Sequence, residues 1–123
     1  MSQSSISIMT LTAIASAAVA QARFVTNAGA YPTAGGVPLG VTRSEGEIGD
    51  PIPVDVLGTT VVEAGATIAA DKPLMVTATG KVIEHDGDGD KHAVGRSLEA
   101  AAADGSMLEI LLVPTTGLLV TAA

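Results

Sequence analysis

Gly40-Val41-Thr42-Arg43-Ser44, then Gly49-Asp50, then Val54-Asp55-Val56-Leu57 is the stretch that decides the fold, because its pattern returns later in the chain. Val94-Gly95-Arg96-Ser97 is followed by Asp104-Gly105 and then by Leu108-Glu109-Ile110-Leu111. Arg43 matches Arg96, Asp50 matches Asp104, and Asp55 matches Glu109. Each copy reads as a β run, a glycine–aspartate linker and a second β run. Two such units, at about residues 38–57 and 93–113, predict a small β-barrel or sandwich in which each supplies part of one wall. Around Val54-Asp55-Val56, apolar and acidic residues alternate, as in a strand with one wet face.

The flanking sequence extends this pattern. The chain has 123 residues, with 14 glycines and 6 prolines punctuating short Val-, Ile- and Thr-rich runs. That length suits one domain with a core, and the spacing suits many short strands. Strands are expected at Ser5–Thr12, Ala22–Thr26, Ile52–Leu57, Thr59–Glu63, Leu74–Thr77, Lys81–Glu84, Ala93–Ser97 and Met107–Val113. Leu108 to Val113 is apolar on both faces apart from Glu109, which marks a central strand. Thr79-Gly80 reads as a hairpin turn. Leu98 to Ala103 has helix-forming composition, but so short a run before Asp104-Gly105 supports only a turn or compact loop. The glycine- and proline-rich stretch Ala28–Gly40 is a loop. It separates residues 1–27, read as an extended N-terminal arm or strand, from a β-rich body at 28–123.

Hydrophobic residues make up 47% of the chain, yet its aromatics are Phe24 and Tyr31 alone. The core must come from Val, Ile, Leu, Ala and Met, which bury less area each than rings do. With no cysteine, disulfides, thiolate metal sites and cysteine nucleophiles are excluded. A small domain without such staples favours oligomerisation or docking on something larger. The net charge is −7, and the six cations are scattered among thirteen acids, which excludes a nucleic-acid partner. Residues 1–44 carry Arg23 and Arg43 and no acid. Ser16–Ala20 has the small residues of a signal cleavage site. No cation precedes it, however, and Ser7, Thr10, Thr12 and Ser16 interrupt the apolar stretch, so residues 1–20 are expected in the mature protein. The apolar runs are too short to span a bilayer, and no membrane partner is expected.

The segment His85-Asp86-Gly87-Asp88-Gly89-Asp90-Lys91-His92 is the place most like a metal site. A calcium loop starting at Asp86 would need glycine and glutamate where Lys91 and Ser97 stand. Zinc ligation by the two histidines is the other option. A polar hairpin tip between Lys81–Glu84 and Ala93–Ser97 accounts for the composition with no metal. No hydrolase triad or phosphate loop can be assembled, and Glu45 and Glu47 lie in a solvated stretch. No catalytic residue and no cofactor are expected. Arg43 and Arg96 are expected to pair with Asp50 and Asp104 within their units, an exposed pair contributing at most ~1 kcal/mol. The alternative place for these arginines is a subunit interface.

Read in order, several motifs resemble the phage capsid decoration, or cement, proteins, a family formerly catalogued as a domain of unknown function. They are Ile8-Met9-Thr10-Leu11-Thr12-Ala13 through Ala22-Arg23-Phe24-Val25-Thr26, and Pro38-Leu39-Gly40-Val41-Thr42-Arg43 running to Val54-Asp55-Val56-Leu57-Gly58. They continue with Val62-Glu63-Ala64-Gly65-Ala66, and end with Val94-Gly95-Arg96-Ser97-Leu98-Glu99-Ala100-Ala101 running into Glu109-Ile110-Leu111-Leu112. The resemblance implies a small β fold without catalysis. It implies attachment to the major capsid protein on the outer surface of the expanded virion shell, as symmetric homo-oligomers (trimers before dimers). It also implies a leading arm, here the acid-free segment with Ile6, Ile8, Leu11, Arg23 and Phe24 as capsid-binding residues. An uncharged, β-prone strip suits strand addition to another chain. Pairing within its own domain is the other outcome. A secreted or surface-attached binding module of adhesin or carbohydrate-binding type is the competing reading. It rests on the cleavage-like site and the acidic tip, and the scarcity of aromatics counts against sugar binding.

Overall fold

The computed structural model describes residues 5–87 and 91–113. Among these, eight strands form one sheet, with every strand pairing antiparallel. They are β1 (Ile6–Ile14), β2 (Phe24–Val25), β3 (Gly40–Thr42), β4 (Pro51–Glu63), β5 (Pro73–Val76), β6 (Val82–Glu84), β7 (Gly95–Ser97) and β8 (Met107–Leu112). The strand order is β2-β3-β4-β8-β7-β5-β6, with β1 also on β4. The sheet curls into a half-barrel, the small-barrel form of the expected β fold rather than a sandwich. Leu98–Ala103 forms no helix. Instead Ala101 and Ile68 exchange backbone hydrogen bonds of 2.8 and 3.0 Å.

β4 organises the molecule. At 13 residues it absorbs both strands expected between Ile52 and Glu63. Gly58, which the sequence suggested as a break, continues the strand at φ +109°, and a Cβ there would collide with the Ile6 carbonyl oxygen. A strand residue has one neighbour on each side. Thr59 pairs with both Ile6 and Leu111, so β1 and β8 flank opposite edges of β4. Asp55 pairs with both Thr10 and Val41, which places β3 opposite β1 as well. β3 and β8 therefore follow one another along a single edge, and the sheet curls about that succession.

Two apolar clusters fill the concavities. The larger gathers Phe24, Val41, Val62, Leu74, Leu108 and Ile110 with their neighbours, all nearly inaccessible. The smaller gathers Ala13, Ala15, Val19, Val25, Ile52 and Val54, with Tyr31 and Leu39 against it. Where β3 gives way to β8, Phe24, Gly40, Val56 and Leu112 line a cavity of about 10 Å³, the room of one water. β8 lies between β4 and β7 as a central strand, as its two-sided apolar pattern requires.

The echo corresponds to two real hairpin-like pairs, β3–β4 and β7–β8, but their registers differ. Arg43 donates its N–H to Pro53, two residues before Asp55, whereas Arg96 lies opposite Leu111, two residues after Glu109. The segment after β6 is not a hairpin tip. β5 pairs with both β6 and β7, so the chain crosses over β5 there instead of turning back on β6.

Candidate functional site

β1 carries the surface that a monomer leaves unexplained. Ile6 is 65% exposed, Ile8 72%, Met9 47%, Leu11 42% and Ile14 58%, whereas Ala13 is the strand's buried residue. Beyond its end, Ile48 is 74% exposed in a loop that Gly49 and Asp50 tie to Ala15 through hydrogen bonds of 2.7 and 2.9 Å. The result is an apolar strip along Ile6, Ile8 and Leu11, about 17 Å long at ordinary strand rise, while Ile14, three unshifted positions past Leu11, faces the other way. Among the described residues β1 pairs with β4 alone. No charged residue occurs between Met1 and Ala22. Soluble proteins blunt such edges with lysine, proline or a covering element, and a contiguous exposed apolar patch marks an interaction surface.

The strand's polar side chains turn the other way. Asp55, on β4 and 1% exposed, accepts hydrogen bonds from Thr10 Oγ1 (3.0 Å), Thr60 Oγ1 (3.0 Å) and Ser5 Oγ (3.4 Å). Arg43 Nε stands 3.7 Å from its Oδ1. Sequence alternation put Asp55 on a wet face, but β1 and Arg43 cover that face. Arg43 therefore pairs with Asp55 and not with Asp50, because the cross-strand neighbour is closer than the sequence neighbour. Asp50 accepts the Glu47 N–H at 2.9 Å. Asp104 pairs with Lys81 at 2.9 Å and not with Arg96, which is exposed on β7.

The two remaining arm residues face inward. Phe24 is 1% exposed in the larger core. As the chain's one phenylalanine it fills the interior of a sheet poor in rings, which corrects its expected place on a contact surface. Arg23 lies over the Tyr31 ring at 5.8 Å. It donates to Glu63 Oε1 at 3.2 and 3.3 Å and to the Thr79 carbonyl at 3.0 Å. Lys81 Nζ, 3.2 Å from Glu63 Oε2, extends this network to Asp104. The cluster ties the start of β2 to the end of β4 and to the β5–β6 turn. Nothing in the sequence spacing signals it, since its members come together only across the ladder. Of the candidate contact residues, then, Ile6, Ile8 and Leu11 share one exposed strip, and Arg23 and Phe24 do not join it.

The cluster makes stability depend on pH. Partial burial pushes the Glu63 carboxyl up, but hydrogen bonds from Lys81 and Arg23, with their charges, outweigh this and hold it below its ordinary value of 4.5. A depressed carboxylate contributes stability that is present above its unfolded pKa and is lost as pH falls through the folded value. Glu63→Gln is expected to flatten the fall in unfolding free energy below about pH 4.5, read by urea titrations at several pH values. An unchanged acid limb would show that the network carries no linkage.

In the crossover after β6, the His85 ring contacts the Lys91 carbonyl at 3.0 Å, and Lys91 Nζ pairs with Asp86 at 2.8 Å. Asp88 and Asp90, which completed the acidic pattern, lie outside the described residues.

Comparison with known proteins adds three findings. A family model described as phage cement protein matches residues 3–113. Among solved structures, the N-terminal base of the head fiber gp8.5 of bacteriophage phi29 is similar in fold. It superposes with a TM-score of 0.68 at 20% identity, over 85% of this chain and 93% of that one. No curated protein matches.

Proposed function

Because this chain belongs to the phage cement protein family, and is thus a structural protein associated with the phage capsid, we propose that it docks on the outer surface of the expanded shell and stabilises it against genome pressure. In this reading it works by binding alone, with no catalytic step. Its partners are the major capsid protein and further copies of itself, as a trimer before a dimer. The observation that carries the reading is the uncharged strip on β1, where Ile6, Ile8 and Leu11 stand 65%, 72% and 42% exposed. Placing this strip against the shell removes from water the largest apolar surface β1 presents. Each fully buried Ile or Leu contributes about 1.5–3 kcal/mol. Arg96, exposed on β7, is a candidate for the contact between copies.

A protein that binds only the assembled shell stabilises that state by linkage. Copies joined as an oligomer gain from multivalency, so that modest single contacts suffice. Cosedimentation with expanded, undecorated shells tests the reading through the number of copies bound at saturation. A plateau at a number set by the icosahedral lattice is the expected result. Absence of binding to a matched shell would remove the shell as partner.

A further inference from the structure

We infer that Asp55 is a positioning residue for docking, since it holds β1 in the register that presents the apolar strip. The inference rests on the proposed use of that strip.

β1 is attached to the body in an unusual way. Among residues 5–12 no side chain is buried, and Ala13 is the one β1 residue in the core. Packing therefore does little to hold the strand. What remains is the backbone ladder with β4, the hydrogen bonds of the Ile6 N–H to Thr59 Oγ1 and of the Ser5 hydroxyl to the Thr59 carbonyl, and the polar side chains that converge on one carboxylate. Ser5 and Thr10 reach Asp55 from β1, Thr60 reaches it along β4, and Arg43 approaches from beyond β3. A carboxylate only 1% exposed must be compensated by hydrogen bonds or charge. The β1 hydroxyls supply part of that compensation, so the seating of the strand and the solvation of Asp55 are coupled.

The same contacts set what the strand shows. The β1–β4 register shifts between Ser7 and Met9 and again between Met9 and Thr10. Through this bulge Ser5 and Thr10, five positions apart, both reach one side chain. Ile8 falls inside the bulge without a register partner on β4, and is the most exposed of the strand's large apolar residues at 72%. Bulges re-aim side chains in this way, and a slip of one residue would turn the strand's faces over. Asp55, itself inaccessible to a partner, thereby fixes the direction in which Ile8 points.

Two variants test this, Asp55→Asn and the double change Ser5→Ala with Thr10→Val, which loosens the strand without touching β4. Amide exchange in β1 is expected to quicken by roughly tenfold or more in both, as expected for lost hydrogen bonds to a charged group. Amides of β7 and β8 should keep wild-type protection. Affinity for expanded shells should fall by a similar factor, and Thr10→Ser, which keeps the hydroxyl, should restore both readouts. Should Asp55→Asn unfold the whole chain, the double variant decides. Wild-type exchange in β1 of the double variant would overturn the inference, as would faster exchange with unaltered shell affinity. If the wild-type protein itself fails to bind shells, the proposed function falls, while the exchange rates still decide whether Asp55 holds the strand.

Discussion

Changing Ile6, Ile8 and Leu11 together to threonine is expected to abolish docking on expanded shells while leaving the unfolding transition where it was. The three side chains stand 65%, 72% and 42% exposed, so they stabilise the isolated chain little, and surface changes of this kind usually stay within about 0.5 kcal/mol. Threonine keeps the β-branch, so the strand propensity of Ile6 and Ile8 is retained. If the strip is buried against a shell, exchanging three apolar side chains for hydroxyls loses about 3 kcal/mol or more, a hundredfold or greater drop per copy. Shells bound by several arms at once multiply that loss. Cosedimentation against a thermal melt separates the two effects, with Val37→Thr, 39% exposed in the loop between β2 and β3, as the control. Wild-type saturation by the triple variant would mean that another face docks. Deletion gives a parallel test, but the cut belongs after residue 12. Cutting after residue 20 would also remove Ala15 and Val19, both buried, and the Ala20 carbonyl that accepts the Thr42 hydroxyl at 2.7 Å.

The features readable in the sequence are those that depend on local pattern. Short runs between glycines mark the strands because strand formation there needs only β-branched residues and turn punctuation, and every expected strand has a counterpart in the sheet. The absence of charge before Arg23 marks the strip, since an edge strand without charge is conspicuous in any register. Contacts across the ladder leave no such trace. Asp50 is closer to Arg43 in sequence than Asp55 is, yet β3 lays Arg43 beside Asp55. Glu63 meets Arg23 and Lys81 from forty and eighteen positions away. Alternation at Val54-Asp55-Val56 identified a strand but not which face would stay wet, because coverage of Asp55 depends on where β1 returns. The echo aligns Asp55 with Glu109, and both are buried, at 1% and 4%. A carboxylate repeated at equivalent positions between apolar neighbours is a mark of interior polar contacts. Phe24 was equally legible as core, being the single phenylalanine of a chain that had to build its interior from aliphatic residues.

Phe24→Ala is the change expected to cost the fold most. The ring is 1% exposed and heads the fully buried side chains by volume. It joins the core shared with Val41, Val62, Val76 and Leu108, and its own N–H is held to the Gly80 carbonyl at 2.8 Å. Its neighbours are mostly β-branched residues in paired strands, stiff at χ1 and unable to collapse into the space. The adjoining cavity at Gly40 and Leu112 would enlarge rather than close. A loss of about 3–5 kcal/mol is expected, a large share of the roughly 5–15 kcal/mol that holds a domain together. Urea unfolding would read it, with Phe24→Leu recovering most of the loss and a cost below about 1 kcal/mol excluding the ring from the core. The comparison with the triple threonine variant carries the mechanism. Phe24→Ala leaves every exposed residue of β1 in place, so the fraction still folded should dock with wild-type affinity, and shells should raise its apparent stability by mass action. Stability without docking in one variant and docking without stability in the other are the results required if the strip binds the partner and the half-barrel only presents it.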